Sequence, residues 1–128
     1  MLTTETELSD EQYSECPVDF STIQKIYDDE EMLKEIVKIV LEETPQTIEL
    51  LAEAIAAGDS KNVKLYAHKI KGSARHVAAS KLTDMLYDLE TKGIEGLLEG
   101  SEALFADIQT EFDKLKSFLS QPNWMEKR

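Results

Sequence analysis

The segment His68-Lys69-Ile70-Lys71-Gly72-Ser73-Ala74 combines an imidazole, two lysines and a glycine within two helical turns. A free imidazole titrates at about 6.5, so near pH 7 a useful fraction is neutral and nucleophilic. Cations at i+1 and i+3 suit an incoming phosphoryl group, whose transfer demands alignment and charge neutralisation more than covalent assistance. On a helix, Gly72 falls one turn beyond His68 and close to the same face. A glycine there costs about 1 kcal/mol relative to alanine, and a bare backbone beside the imidazole lets another macromolecule come close.

The element that must carry this group is a helix over residues 60–77. Val63, Tyr66, Ala67, Ile70, Ala74 and Val77 recur at the i, i+3, i+4 spacing of one buried face. At about 100° per residue, His68 sits roughly 140° from the middle of that stripe, with Lys61, Lys64, Lys71 and Arg75 on its side. The imidazole therefore faces solvent. Leu65 also falls on the exposed side near Gly72, a candidate for apolar docking, whereas Ser73 needs no role beyond back-bonding within its helix.

Charge sharpens the picture. The chain of 128 residues carries a net charge of −12, which disfavours nucleic acid or an anionic membrane as the partner of the whole surface. From Ser60 to Thr83 there are six basic residues and no acidic one, while the remainder holds eight basic against 26 acidic. One helix is a positive island on a negative protein, suited to attracting an acidic site and holding phosphate.

Length and composition fit one domain with a single core, 41% hydrophobic and 31% charged. The apolar runs are too short to span a bilayer, so no membrane insertion is expected. Residues 1–18 are polar and acidic without periodicity, an N-terminal tail or arm with neither the basic start nor the apolar stretch of a signal peptide. The lone Cys16 cannot form an internal disulfide, and the cytoplasm is the expected compartment.

A short helix and then four longer amphipathic helices follow along the chain. Asp19 or Ser21 can cap a short helix with Phe20, Ile23 and Ile26. Asp28 or Asp29 can cap a long one with the stripe Leu33, Ile36, Val37, Val40, Thr44, Ile48, Leu51 and Ile55, bent at Pro45 and ending at Gly58. Asp59 or Ser60 caps the histidine helix. Ser80 starts the next, with Leu82, Met85, Leu86 and Leu89 inward and an end at Gly93 or a few residues later. A loop is expected over residues 93–101, and Ser101-Glu102 opens a last helix with Leu104, Phe105, Ile108, Phe112, Leu115 and Leu119 inward, closed by Pro122. No run alternates as a strand does. The expected fold is all-α: an antiparallel up-and-down four-helix bundle with a short N-terminal capping helix over residues 19–121, and a C-terminal tail over 122–128.

With these features, the chain resembles the histidine-containing phosphotransfer domains of multistep phosphorelays over nearly all of residues 19–120. Ala67-His68-Lys69-Ile70-Lys71-Gly72-Ser73-Ala74 follows the family pattern A-H-x-L-K-G-S-[SA], with Ile70 in place of leucine; Gly58-Asp59 and Leu89-Glu90 also look like family positions. Two positions depart from the pattern. Ala78-Ala79 replaces the usual glycine-alanine after the histidine helix, so a gentler turn or a helix that runs on is expected, and His76 stands where many members have a small polar residue.

The resemblance implies that His68 accepts a phosphoryl group from the phospho-aspartate of one receiver domain and passes it to the aspartate of another, through Nε2. It implies a phosphocarrier with no kinase or nucleotide site and no cofactor of its own, the magnesium ion belonging to the receiver. Nδ1–H would then need an acceptor, and Glu90 is at a position where members place glutamine or glutamate. Lys71 is expected on the phosphate oxygens, with Lys64, Leu65, Lys69, Gly72, Arg75 and His76 as the partner-facing residues. The expected partners are receiver domains, whether free-standing or part of a hybrid histidine kinase, and the carrier itself is expected to be a monomer.

Three rival readings compete. A metal site on His68 and His76 would have to bridge about 12 Å along the helix, with no further ligand in the segment. A self-contained enzyme would want a phosphate loop, nucleophile elbow or carboxylate pair, and none occurs. A helical adaptor docking through the basic face alone would keep the island and have no need of His68.

Overall fold

A computed structural model of the chain describes residues 18, 19 and 29–121. The expected short N-terminal helix, most of the expected N-terminal tail, Pro122 and the expected C-terminal tail lie outside the described residues. Within them are four helices: α1 Glu30–Ala57, α2 Ser60–His76, α3 Ser80–Glu95 and α4 Ser101–Leu119. Each packs on its neighbours in chain order, α4 closes back onto α1, and the α2–α3 pair is the most extensive. No strand occurs among the described residues. The fully buried layer is Leu51 of α1, Val63 and Ile70 of α2, Leu82, Leu86 and Leu89 of α3, and Ile108 and Leu115 of α4, which are stripe positions that leave water as the helices meet.

The connections explain the antiparallel order. Asp29 caps α1 by accepting from Glu31 N–H at 2.9 Å. Gly58, in the left-handed region at φ 68°, ends the helix, with Asp59 N–H reaching back to the Ala54 carbonyl at 2.9 Å. The same Asp59 then caps α2 through Asn62 N–H at 3.2 Å, so one dipeptide stops a helix and starts its reversal. Pro45 sits inside a continuous α1, and Thr47 and Ala54 join its buried stripe while Ile36 and Ile55 lie at the margin. Tyr66, Met85, Leu104 and Phe105 are likewise partly buried and packed against the core.

Two expectations about loops are corrected. Despite Ala78-Ala79, α2 does not run on: Ala78 itself takes the left-handed conformation at φ 55°, and Ala79 N–H bonds the Ala74 carbonyl at 2.9 Å. Left-handed alanine costs roughly 1–2 kcal/mol, offset here by burial of Val77, Ala78 and Ala79 and by Asp19 N–H bonding the Ala78 carbonyl at 2.9 Å. Gly93 does not begin the loop either. It lies inside α3, which continues to Glu95 and ends at left-handed Gly96, and the loop is residues 96–100. The α4 N-cap is Gly100, leaving Ser101 as the first helical residue with a buried hydroxyl that has no hydrogen-bond partner.

Candidate functional site

The site is assembled where α3 crosses α2. Gly93 is buried against the first turn of α2, and its missing side chain lets the two backbones close together. One turn back along α3, Glu90 is thereby brought over the outer face of α2 and meets both His68 and Lys71.

The His68 side chain is 66% exposed, and its Nδ1 lies 2.8 Å from Glu90 Oε2. Lys71 Nζ donates to the other oxygen, Oε1, at 2.6 Å and is only 15% exposed. Burial works against ionisation of the Glu90 carboxyl, but hydrogen bonds from Lys71 and His68, and their charges, hold it below its ordinary value of 4.5. An ionised carboxylate only accepts, so the bond at Nδ1 places the proton there. In the neutral ring Nε2 then carries the free lone pair, on an imidazole that is mostly in solvent. The arrangement presents a nitrogen nucleophile of defined tautomer.

The residues singled out from sequence fare differently. His68, Lys64, Leu65, Lys69, Arg75 and His76 are all exposed, as the helical wheel requires. Glu90 is no surface glutamate but is buried at 8% exposure. Lys71, expected on phosphate oxygens, turns its ammonium onto the Glu90 carboxylate, which is itself largely shielded from water. Gly72 is half-buried, and a Cβ there would meet nothing within 4 Å, so no contact among the described residues requires glycine.

Part of the basic island is neutralised internally. Lys71 is taken by Glu90, and Lys81 reaches buried Glu111 of α4 at 3.8 Å. Sequence reasoning missed Glu111, and also Gly93 and Tyr87. The Tyr87 ring centroid lies 5.4 Å from Lys71 Nζ. Both α3 residues stand three positions from Glu90, one on each side, a spacing that would have put them on its face.

Among the described residues no group of three or more His, Cys, Asp or Glu is placed to hold a metal ion, and no helix is long and apolar enough to cross a membrane. Grooves run along α4, lined by Pro45, Ile48, Gln109 and Phe112 and by Thr110, Lys114, Ser117 and Phe118, and neither includes His68.

Comparison with known proteins agrees with this architecture. The family model of the Hpt domain matches residues 35–118. The crystal structure of histidine-containing phosphotransfer protein B from Pseudomonas aeruginosa PAO1 superposes with a TM-score of 0.78 at 19% identity, covering 88% of this chain and 97% of that one. Among curated protein sequences none matches significantly.

Proposed function

This chain belongs to the Hpt domain family, and we propose that His68 is its phosphoryl acceptor, taking the group from a receiver-domain phospho-aspartate and passing it to the aspartate of a second receiver. The observation that carries this reading is the pairing of a solvent-facing imidazole with ionised Glu90 at Nδ1, 2.8 Å away.

In the step, the Nε2 lone pair attacks phosphorus. The N–P bond forms as the acyl-phosphate P–O bond breaks, and the electron pair returns to the aspartate as carboxylate. The ring retains its Nδ1 proton and becomes positive, and Glu90, already in place and ionised, stabilises that charge without reorganising. Transfer onward is the reverse with a second carboxylate as nucleophile. Lys64, Lys69 and Arg75 offset the charge of the arriving phosphoryl group and of the acidic pocket that brings it. Gly72, with Leu65 nearby, leaves room for the partner's surface; His76 extends the contact at the end of α2.

A magnesium ion belongs on the partner's side, where it neutralises phosphate charge. Glu90, a carboxylate of this site, is already shared by His68 and Lys71. The carrier acts as a monomer in the compartment of its receivers, the cytoplasm.

Incubation with a phosphorylated receiver tests the reading. Acid-labile, base-stable phosphate on the wild type and none on His68→Gln is the expected result. Unchanged receiver binding with no label on either protein would favour the non-covalent adaptor instead.

A further inference from the structure

Lys71 faces two demands that one position cannot meet. Its ammonium is held at Glu90, which also holds Nδ1 of His68, while a phosphoryl group would arrive at Nε2 on the far side of the ring. Something must therefore set how firmly Lys71 is kept and how readily it leaves. Beside it lies Tyr87, one turn before Glu90 on α3. Its side chain is 60% exposed, yet its ring approaches the ammonium to 5.4 Å from the centroid. That is the range in which an aromatic face attracts a cation.

We propose that Tyr87 is a positioning residue of this site, holding Lys71 on Glu90 while His68 is unmodified and yielding it when a phosphoryl group occupies Nε2. The physical basis is a competition between anions. Before transfer, Lys71 chooses between solvent and a carboxylate of charge −1 with an aromatic face beside it. After transfer the phosphoryl oxygens carry more negative charge within a lysine's reach of the same helix turn, and the ring provides a weak, breakable contact that sets the balance. Only the second half, the release, rests on His68 being the phosphoryl acceptor.

The test uses the full chain and the variants Tyr87→Phe, which keeps the aromatic face, and Tyr87→Leu, which removes it. Titration of the Glu90 carboxyl carbon by 13C NMR reads the holding role. Tyr87→Phe should match the wild type, and Tyr87→Leu should shift the midpoint upward by as much as about 0.7 pH units, the equivalent of a lost exposed cation–π contact. A Tyr87→Leu midpoint equal to that of the wild type, or a Tyr87→Phe midpoint that moves as far as Tyr87→Leu, would overturn the ring's role.

Phosphoramidate reads the release. Its P–N bond breaks, ammonia leaves and the Nε2–P bond forms, with the product seen by 31P NMR. In the phosphorylated wild type the ring-current displacement of the Lys71 ε-methylene protons should disappear. Its persistence alongside a phosphohistidine signal would overturn the release. Absence of any phosphohistidine signal would instead sink the acceptor assignment and the release with it, while the titration still decides the holding role.

Discussion

A Cβ built on Gly93 would lie 2.6 Å from the backbone nitrogen of Lys64 and 2.9 Å from its Cα. No side chain can rotate out of such a contact, since both atoms belong to the α2 backbone. The approach of these two residues sets the α2–α3 spacing and, one turn away, the reach of Glu90 to His68.

Gly93→Ala tests that relationship. Helix propensity alone would make it stabilising by about 1 kcal/mol, but the clash must push α3 away, and overpacking of this kind costs typically about 1–3 kcal/mol. Net destabilisation is expected in urea melts, together with slower phosphotransfer because Glu90 is displaced. A more stable protein would contradict the close approach.

Gly72→Ala should do the opposite to stability. A methyl there meets nothing among the described residues, so the substitution should stabilise the isolated protein by about 0.5–1 kcal/mol. Transfer from a phosphorylated receiver should nonetheless slow, because the methyl stands where the partner approaches. Stabilisation with unchanged transfer kinetics would show that the glycine is not kept for the partner.

Replacing Glu90 separates its two roles. Glu90→Gln retains an acceptor for Nδ1–H but loses the charge, whereas Glu90→Ala loses both. A hydrogen bond to a charged group contributes about 1.5–3 kcal/mol, so transfer should fall by about tenfold or more in Glu90→Ala, and less in Glu90→Gln. Rapid-quench measurement with a phosphorylated receiver gives the order, and equal rates in all three proteins would remove Glu90 from the mechanism.

The depressed pKa of Glu90 also predicts a pH dependence. A carboxyl lowered from 4.5 on folding binds fewer protons in the native state, so the unfolded state gains them first as the solution is acidified. Its stabilising contribution is complete above about 4.5 and is lost as pH falls through the lower native value. Urea melts of wild type and Glu90→Gln should therefore differ by a constant amount at neutral pH and converge below pH 4.5. A difference that stays constant down to pH 3 would mean that Glu90 is not held by Lys71 and His68.

Lys71 places its own limit on reading a site from a helical wheel. The wheel puts Lys71 and His68 on one exposed side, and both residues do lie there, but the ammonium is turned inward onto Glu90. Ala78 is a similar case. Its side chain argues for a gentler turn, and the chain still adopts φ 55° because the flanking Val77 and Ala79 are buried by doing so.

What the residues determined alone were the helices, their buried stripes and the outward direction of His68, since these follow from a local period and from caps such as Asp29, Gly58 and Asp59. Only the tertiary structure decided that Glu90 would close on Nδ1, that Lys71 would be drawn away from solvent, and that Gly93 would belong to a helix crossing and not to a loop. Those outcomes depend on the distance between two helices, and no periodicity within either one encodes it.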